Sequence, residues 1–390
     1  MTVTAIRREF DAYYNSCLLM GLVNGDGSIV VDGYIVKRDE NNNIELVDIT
    51  KEVYDNVTNG EFIIPEYIDI IGEGAFENSK IKTIRIPKQI KKIKARAFHS
   101  CPCLLEVVIE GNIKEIAPFT FSDSPQLKAV TLPPSVCIIR NKAFSTCSQL
   151  ERIDGLSDNL KEIERYAFFM CENLRHISLP KAMEKIGEKA FAGSGLEEFT
   201  FPMGMEVMPK SLLKECNNLI KLNISDGVKV IDESVAFWCK NLKQIRFPST
   251  LTTIKDMAFA YCESIVSIGS LGGVKTIGGR AFYGCNHLRY VCLPEGLQSI
   301  KWEAFNCDSL KRVKIPSTVE EIEDKAFVAT DADPVILTSE VINIGERAFL
   351  YSETRVYCPN FRRGRILYTI YRQEPPADVV EKWINNGKRK

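Results

Sequence analysis

The sequence predicts a β-rich repeat solenoid, a single stack of about thirteen coils of 22 to 24 residues with short helical turns. Three observations predict this fold. A phenylalanine behind a small residue returns in most coils, a proline ends an alternating apolar segment at the same phase of many coils, and a Cys, Ser or Thr follows the phenylalanine by three residues in most of them. Self-similarity at a fixed short period is typical of solenoids, which grow by adding coils to a stack.

The recurring pair is predicted to build the interior, because Ala lets neighbouring backbones approach and Phe fills the space between them. Two coils lack it: Leu212-Leu213 and Val235-Ala236 hold its place, and Phe237 is displaced by one residue. Since the spacing across them stays at 22, 23 and 23 residues, we interpret them as degenerate coils inside one continuous stack. The regular pairs are Ala75-Phe76, Ala97-Phe98, Thr120-Phe121, Ala143-Phe144, Ala167-Phe168, Ala190-Phe191, Ala258-Phe259, Ala281-Phe282, Ala304-Phe305, Ala326-Phe327 and Ala348-Phe349.

The segment LRYVCLPEGLQSIKWEAF, residues 288–305, contains every part of the repeat. Its first residues alternate apolar and polar, which is the period of a half-buried strand. Pro294 ends that strand, since proline has no N–H for a central ladder. A short extended piece follows, and then a tight turn or single helical turn carries the pair. Equivalent strands should pair side by side as a parallel ladder, with the usual right-handed connections.

Most of the thirteen cysteines are predicted to form a structural ladder of small, buried side chains. Seven occupy the slot three residues after the second member of the pair, where other coils carry Ser or Thr. Buried free thiols behave as small hydrophobic groups. No Cys-x-x-Cys motif or histidine cluster accompanies them, so no metal site is predicted. The seven are Cys101, Cys147, Cys171, Cys216, Cys239, Cys262 and Cys285.

Three parts are predicted along the chain. Residues 1–59 form an N-terminal cap, with an amphipathic helix at the start and a hairpin over 28–49, which protects the open edge of the first coil. Residues 60–358 form the solenoid. Residues 359–390 form a C-terminal cap and tail; a nucleic-acid-binding arm is the alternative for its basic, aromatic segment RRGRILYTIYR.

The composition points away from several functional classes. Fifty Lys and Arg against 51 Asp and Glu leave a net charge of -1, which favours neither a nucleic-acid nor a membrane partner. No apolar run is long enough to span a membrane. No nucleotide-binding or nucleophile motif occurs, so we predict no cofactor, no catalytic residue and no enzyme activity. The sequence as it stands predicts a cytoplasmic protein; a secreted or surface protein is the alternative if a leader is missing.

We expect a protein ligand as the partner. Two candidate binding surfaces consist of residues whose identity the repeat pattern does not determine. On the outward strand face, Arg and Tyr residues of the kind enriched at binding hot spots gather in the later coils. An ordinary solvated face is the alternative. These strand-face residues are Arg246, Tyr290, Arg312 and Lys314.

The second surface lies on the turns, where aromatic residues replace the usual Ser, Asp, Asn or Gly just after the pair. They are Phe169, Trp238, Tyr261 and Tyr283. Exposed aromatics there would mark a partner site. For Trp238 and its neighbour Phe237 the favoured interpretation is different: they repack the degenerate coils, with Phe237 as a slipped core residue.

The repeat also resembles a known family. The units LPEGLQSIKWEAFNCDSL, FPSTLTTIKDMAFAYCESI and IPKQIKKIKARAFHSC look like BspA-like leucine-rich repeats, over about residues 60–358, and the hairpin DGYIV…IELVDI is similar to that family's N-terminal cap. The repeat itself favours non-catalytic protein recognition over catalysis, and the resemblance implies a leucine-rich-repeat solenoid. It also implies, as an alternative, a secreted bacterial adhesin that binds a host matrix protein. An enzyme-regulating domain is a third reading. The ligand and oligomeric state are left open.

Overall fold

The structure, a computed structural model, describes residues 3–55, 61–328, 335–336, 343–349, 356–357 and 370–371. The chain divides into two compact units, residues 1–194 and residues 195–390. The limits 1–59, 60–358 and 359–390 remain predictions, and the predicted C-terminal cap lies outside the described residues apart from 370–371. The fold itself is confirmed as a parallel-strand β-solenoid of about twelve turns. Thirteen pair positions delimit twelve complete turns, so this agrees with the expected thirteen coils to within one.

The first unit begins with a cap of two helices and an antiparallel sheet. The predicted hairpin is confirmed: Arg38 lies opposite Ile44, and the carboxylate of Asp39 accepts the backbone N–H of Asn43 at 2.8 Å to close the turn. On the first helix, Phe10 is buried and stacks on Tyr67 with ring centroids 5.0 Å apart. The elements of the cap are α1 (Val3–Leu19), β1 (Ile29–Val31), β2 (Tyr34–Arg38), β3 (Ile44–Ile49) and α2 (Lys51–Asp55).

The solenoid strands of the first unit are β4 (Glu61–Ile63), β5 (Ile70–Ile71), β6 (Thr83–Ile86), β7 (Lys92–Ile93), β8 (Glu106–Ile109), β9 (Glu115–Ile116), β10 (Ala129–Thr131), β11 (Ile138–Ile139), β12 (Arg152–Asp154), β13 (Glu162–Ile163) and β14 (Lys185–Ile186). Strands β4, β6, β8, β10 and β12 form one parallel sheet, and β9, β11, β13 and β14 form another. Strands β5 and β7 continue the sheet of the cap in parallel from β3, so the cap joins the first coil through the backbone. Val107 pairs with Val130, one coil further on, as the repeat predicts.

The strands of the second unit are β15 (Glu198–Phe201), β16 (Val207–Met208), β17 (Lys221–Ile224), β18 (Val230–Ile231), β19 (Gln244–Arg246), β20 (Thr253–Ile254), β21 (Ser267–Ile268), β22 (Thr276–Ile277), β23 (Tyr290–Cys292), β24 (Ser299–Ile300), β25 (Arg312–Lys314), β26 (Glu321–Ile322), β27 (Val335–Ile336), β28 (Asn343–Ile344), β29 (Val356–Tyr357) and β30 (Ile370–Tyr371). The longer strands pair as β15-β17-β19 and β21-β23-β25. The short strands β16 to β28, taking even numbers, form one parallel sheet, and β27, β29 and β30 form a small one.

The coils are closed by tight turns, where the sequence left a helical turn open as an alternative. Ten of the pairs, from Ala75-Phe76 to Ala281-Phe282, lie between two residues in the left-handed region; for Ala258-Phe259 these are Met257 (φ 56°) and Tyr261 (φ 61°). Left-handed residues interrupt helical geometry, and the helices of the described residues, α1 and α2, both belong to the cap. Successive turns are hydrogen-bonded, as from the N–H of Phe259 to the carbonyl of Ala281 at 2.8 Å.

The predicted aromatic column is present in both units. In the first unit, Phe144 lies between Phe121 and Phe168 with ring centroids 5.3 and 5.2 Å away and nearly parallel planes. In the second unit, Phe282 stacks in the same way between Phe259 and Phe305. All six rings are fully buried. Each should contribute about 1.5–3 kcal/mol from burial alone.

The two degenerate coils keep their pair positions buried and recover volume from their strands. Leu213 and Ala236 are completely buried. The coil that carries Leu213 also buries Phe199 and Phe201 of β15, and Phe247 packs edge-on against Phe259 at 5.6 Å. The interior is therefore refilled by phenylalanines of the strand segments.

The cysteine ladder is also present, and it extends to a residue that the pattern missed. Cys147 Sγ donates to the carbonyl of Phe121 at 3.0 Å, and Ser124 Oγ makes the equivalent bond to Phe98 at 3.1 Å. Cys307 makes the same bond to Phe282 at 3.0 Å, although it lies one residue earlier in a shorter coil. Burial raises the pKa of the Cys147 thiol to about 12, so this thiol stays protonated at neutral pH. The ladder is structural.

Candidate functional site

The aromatic residues of the second unit lie together on the outside of successive turns. We call Phe237, Trp238, Tyr261 and Tyr283 the turn-face patch. Phe237 lies 5.9 Å from Trp238 and 5.6 Å from Tyr261, both edge-on, and Tyr261 lies 5.4 Å from Tyr283 in the same geometry. The sequence brings these rings together because they occupy the two positions after the pair in adjacent coils. Edge-to-face contacts of this kind make the patch a defined surface.

The expectation that Phe237 and Trp238 repack the degenerate coils is wrong. Trp238 is 43% exposed, and Phe237 is half-buried with its ring against Trp238 and Tyr261. The physical reason is that Val235 and Ala236 still hold the two inward positions of the turn, both with no exposed surface. Phe237, at the position after them, is therefore left outside the phenylalanine column.

The backbone under the patch adopts a conformation that bulky residues rarely take, and hydrogen bonds join it from turn to turn. Trp238 (φ 64°) and Tyr261 (φ 61°) both occupy the left-handed region, which bulky residues rarely adopt. The N–H of Trp238 donates to the carbonyl of Ala260 at 2.9 Å, and that of Tyr261 donates to Tyr283 at 2.7 Å. These bonds fix the spacing between the turns, so the rings form a preorganised surface.

Cations border the patch. One of them, Arg280, contacts both a patch residue and a further aromatic residue, Trp302. Lys240 Nζ lies 5.3 Å from the centre of the Trp238 ring. The guanidinium of Arg280 lies 5.3 Å from the centre of the Tyr283 ring and 4.5 Å from that of Trp302, which is 37% exposed. A Cβ atom on Gly279 would come within 2.3 Å of Trp302 Nε1, so this glycine makes room for the indole. Sequence reasoning missed Trp302, although Asp or Glu holds its position in several other coils.

Phe169, the remaining predicted turn residue, does not belong to this patch. It lies in the first unit, is half-buried, and contacts Tyr166 edge-on at 5.5 Å. Tyr166 in turn is surrounded by cations, with Lys189 Nζ 5.2 Å from its ring centre and 3.1 Å from its hydroxyl. One of the four predicted residues thus lies in the first unit and the other three in the second.

The strand-face residues are also only partly brought together. Tyr290 pairs in register with Arg312, and Cys292 pairs with Lys314, on the adjacent strands β23 and β25. Tyr290 is 42% exposed and Lys314 is exposed, whereas the side chain of Arg312 lies outside the described part of the structure. Arg246 is exposed but ends β19 in a different sheet, beside Asn223. Three of the four predicted residues are thus neighbours.

Two further observations concern the chemistry of the chain. Among the described residues, no group of three or more His, Cys, Asp or Glu side chains is arranged to hold a metal ion. No described helix is both long enough and apolar enough to cross a membrane.

Comparisons with known proteins concern the repeat. The family model described as "BspA type Leucine rich repeat region" matches residues 42–151, 139–237 and 233–355. A leucine-rich repeat protein from Bacteroides ovatus is 24% identical, with a TM-score of 0.41, over 75% of this chain and 95% of its own. The pneumococcal vaccine antigen PcpA is 19% identical, with a TM-score of 0.49, over 75% and 92%. A leucine-rich cell surface protein from Faecalibacterium prausnitzii is 21% identical, with a TM-score of 0.41, over 73% and 93%. No curated protein matches the chain.

Proposed function

This chain belongs to the BspA-type leucine-rich repeat family, and on that premise we propose that it is a non-catalytic scaffold for protein recognition whose partner docks on the turn-face patch. Repeat proteins of this fold are generally scaffolds that bind other proteins. One observation carries the proposal: Trp238, 43% exposed, stands among three contacting aromatic rings on the outside of the coils.

The residue types of the turn-face patch support a role in binding. Holding a non-glycine residue in the left-handed region costs about 1–2 kcal/mol, and Trp238 and Tyr261 both adopt it. The same position is left-handed in other coils. It carries Asn78, Asp123 and Gly193, whose residue types tolerate the conformation better, and also Ser100, Thr146, Met170 and Glu215. With 43% of its surface exposed, Trp238 forgoes part of the stabilisation that full burial would supply. Trp and Tyr are, however, the residues that most often dominate the energy of an interface.

The location of the protein decides which partners it meets. Proteins with BspA-type repeats are typically at the cell surface or secreted, which favours the alternative of a secreted adhesin for a host matrix protein. The cytoplasmic location expected from the sequence remains a prediction. The turn-face patch would serve as the recognition surface in either compartment.

We expect the Trp238→Ala and Tyr261→Ala variants each to weaken the partner's affinity by roughly 30-fold or more, the loss typical of a hot-spot residue. Partners would be captured on the immobilised full chain from cytosolic and extracellular-matrix extracts in parallel, identified by mass spectrometry, and titrated in purified form. The extract that yields the partner also distinguishes the two hypotheses. A cytosolic partner would favour the scaffold, and an extracellular-matrix partner would favour the adhesin.

Phe169→Ala is the matched control, because it removes an aromatic side chain from the same region of a turn in the other unit. It should leave the affinity within about twofold, since surface changes away from a hot spot are nearly neutral. Unchanged urea midpoints would establish that all variants fold. Full affinity in both Trp238→Ala and Tyr261→Ala would reject the turn-face patch as the docking site.

A further inference from the structure

We propose that the first unit carries an anion-binding site on its turns, which takes a phosphate or sulfate group. We call this site the Tyr166 cluster and define it by Lys142, Arg165, Tyr166 and Lys189. All four residues lie in the first unit, so the site does not depend on the turn-face patch of the second unit.

The Tyr166 cluster surrounds one phenol with three cations. Lys142 Nζ lies 5.6 Å from the centre of the Tyr166 ring, and Lys189 Nζ lies 5.2 Å from it. The guanidinium carbon of Arg165 lies 5.4 Å from the same centre. Lys189 Nζ is also 3.1 Å from the phenol oxygen. Three positive charges are therefore held around one neutral side chain.

The backbone places the members of the cluster on adjacent turns. Lys142, Tyr166 and Lys189 each come directly before the pair of successive coils, and all three lie in the left-handed region, at φ 55°, 59° and 55°. The N–H of Lys142 donates to the carbonyl of Arg165 at 3.2 Å, and that of Tyr166 donates to Glu188 at 3.1 Å. These bonds hold the turns at the coil spacing of about 4.8 Å, so the backbone of the site is set before a ligand binds.

The second unit contains the same row of positions with an acidic residue in the middle. Arg280, Glu303 and Lys325 come directly before the pair of three successive coils. The carboxylate of Glu303 accepts a bond from Arg280 Nε at 2.7 Å, and Lys325 Nζ lies 3.5 Å from its other oxygen. Cations two coils apart can therefore reach a single anionic group placed between them.

In the Tyr166 cluster a neutral phenol takes the place of that carboxylate. Among the residues that the structure describes, no carboxylate forms an ion pair with Lys142 or Arg165. The ammonium of Lys142 lies against two aromatic rings, and Lys189 approaches the carboxylate of Glu188 at 3.7 Å. The cluster thus holds more positive than negative charge, and an anion from a ligand would supply the missing counter-charge.

The phenol itself responds to these positive surroundings. The hydrogen bond from Lys189, with a further one from Arg165, holds the pKa of the Tyr166 phenol below its usual value, because both bonds stabilise negative charge on the phenol oxygen. The same two cations would stabilise the oxygens of an anion bound beside the hydroxyl.

The number of donors favours a phosphate or sulfate group over a carboxylate. Two ammonium groups, one guanidinium group and the Tyr166 hydroxyl can all donate. A carboxylate offers two oxygens, whereas a phosphate ester offers three and carries up to two charges. The planar guanidinium of Arg165 also matches a phosphate through two parallel bonds. Because single exposed ion pairs contribute little, binding should require several of these donors together.

The test uses the full chain and small probes of defined charge, titrated by isothermal calorimetry. The main probe is phenyl phosphate, and the comparison probes are phenyl sulfate, inorganic phosphate and phenylacetate. We expect phenyl phosphate to bind at least about fivefold more tightly than phenylacetate. Inorganic phosphate that binds as tightly as the ester would support a free anion as the ligand, and tighter binding of the esters would support an ester. Phenylacetate that binds as tightly as both phosphates would overturn the inference.

The Tyr166→Glu variant should lose nearly all binding of phenyl phosphate, because it places a carboxylate between the cations as in the second unit. Glutamate fits this backbone, since Glu303 adopts the same conformation at φ 53°. Tyr166→Phe removes only the hydroxyl and should weaken binding by about threefold.

The Lys142→Gln/Arg165→Gln double variant should weaken binding by about tenfold or more, because it removes two charge-assisted bonds. The matched control is Arg85→Gln/Arg152→Gln, which removes two exposed cations from strands of the same unit and should retain full affinity. Trp238→Ala should also retain it, so this proposal and the turn-face proposal fail independently. Urea midpoints close to that of the wild type would establish that the variants fold. Full affinity in Tyr166→Glu, or equal losses in the two Gln double variants, would overturn the inference.

Discussion

The Phe144→Ala variant should lose about 3–5 kcal/mol of folding free energy, the usual cost of truncating a buried phenylalanine. Phe144 has no exposed surface and stacks between Phe121 and Phe168, so the cavity would open in the middle of the column. Because repeat proteins can unfold locally, the measurement is urea denaturation together with hydrogen exchange at residues 141–147. Exchange at these amides should accelerate more than exchange at the cap.

Phe169→Ala provides the matched control for this prediction, since it removes the same side chain from the outside of the next turn. It should cost less than about 1 kcal/mol. Phe144→Leu should fall between the two, because Leu213 shows that a leucine is accepted at this position when strand residues add volume. Equal losses from Phe144→Ala and Phe169→Ala would mean that the column does not hold the unit together.

The Asp69→Ala variant should lose about 2–3 kcal/mol, because it removes the group that joins α1, the hairpin and the first coil. The Asp69 carboxylate is 3% exposed and accepts two bonds from Arg7 and one from the Ile44 N–H at 2.9 Å. Lys91 approaches it at 3.1 Å. Most of the cost comes from the Ile44 N–H, which would be left buried without a partner; Arg7 and Lys91 are exposed enough to be hydrated.

The same group gives this loss a pH dependence. Burial alone would raise the pKa of Asp69, but the bonds from Ile44, Arg7 and Lys91 outweigh it and hold the pKa below its usual value. A lowered pKa stabilises the fold above the unfolded pKa of about 3.9, and this contribution is lost as the pH falls through the folded value. Thermal melts of the wild type and of Asp69→Asn should therefore converge below about pH 4. A difference in melting temperature that stays constant from pH 7 to pH 3 would contradict this account.

Asp154→Ala is the control for the loss of stability. Because Asp154 belongs to an exposed ion pair, this variant should lose under about 0.5 kcal/mol of folding free energy.

The solenoid could be predicted because the residues that recur at the coil spacing are the ones that fill its interior. Phe144 and Cys147 are both buried and repeat at the coil spacing, so the interior follows from the sequence. The tight turns could not be derived with the same certainty. Met257 and Tyr261 are not residue types that favour the left-handed region, so nothing in their identity indicates the conformation they adopt.

The candidate surfaces were harder to predict because they consist of residues that the repeat pattern does not determine. Its place one residue from a phenylalanine position assigns Phe237 to the core, yet the residue is half-buried with its ring against Trp238 and Tyr261. Trp302 was missed because it precedes its pair, although Gly279 in the coil before gives it room. Arg246 was grouped with Tyr290 on phase alone, without the sheet boundary between β19 and β21. The position of a residue within the repeat predicts which way its side chain points. Whether several side chains form a binding surface depends on their neighbours in adjacent coils.

Hydroxyl-radical footprinting of the full chain, free and saturated with its purified protein partner, tests the central claim most directly. The method reports the solvent exposure of individual aromatic side chains. Docking on the turn-face patch predicts that oxidation of Trp238, Tyr261 and Tyr283 falls several-fold in the complex, whereas Phe169 and the exposed Tyr13 keep their free rates. An unchanged oxidation rate at Trp238 in the saturated complex would contradict the claim.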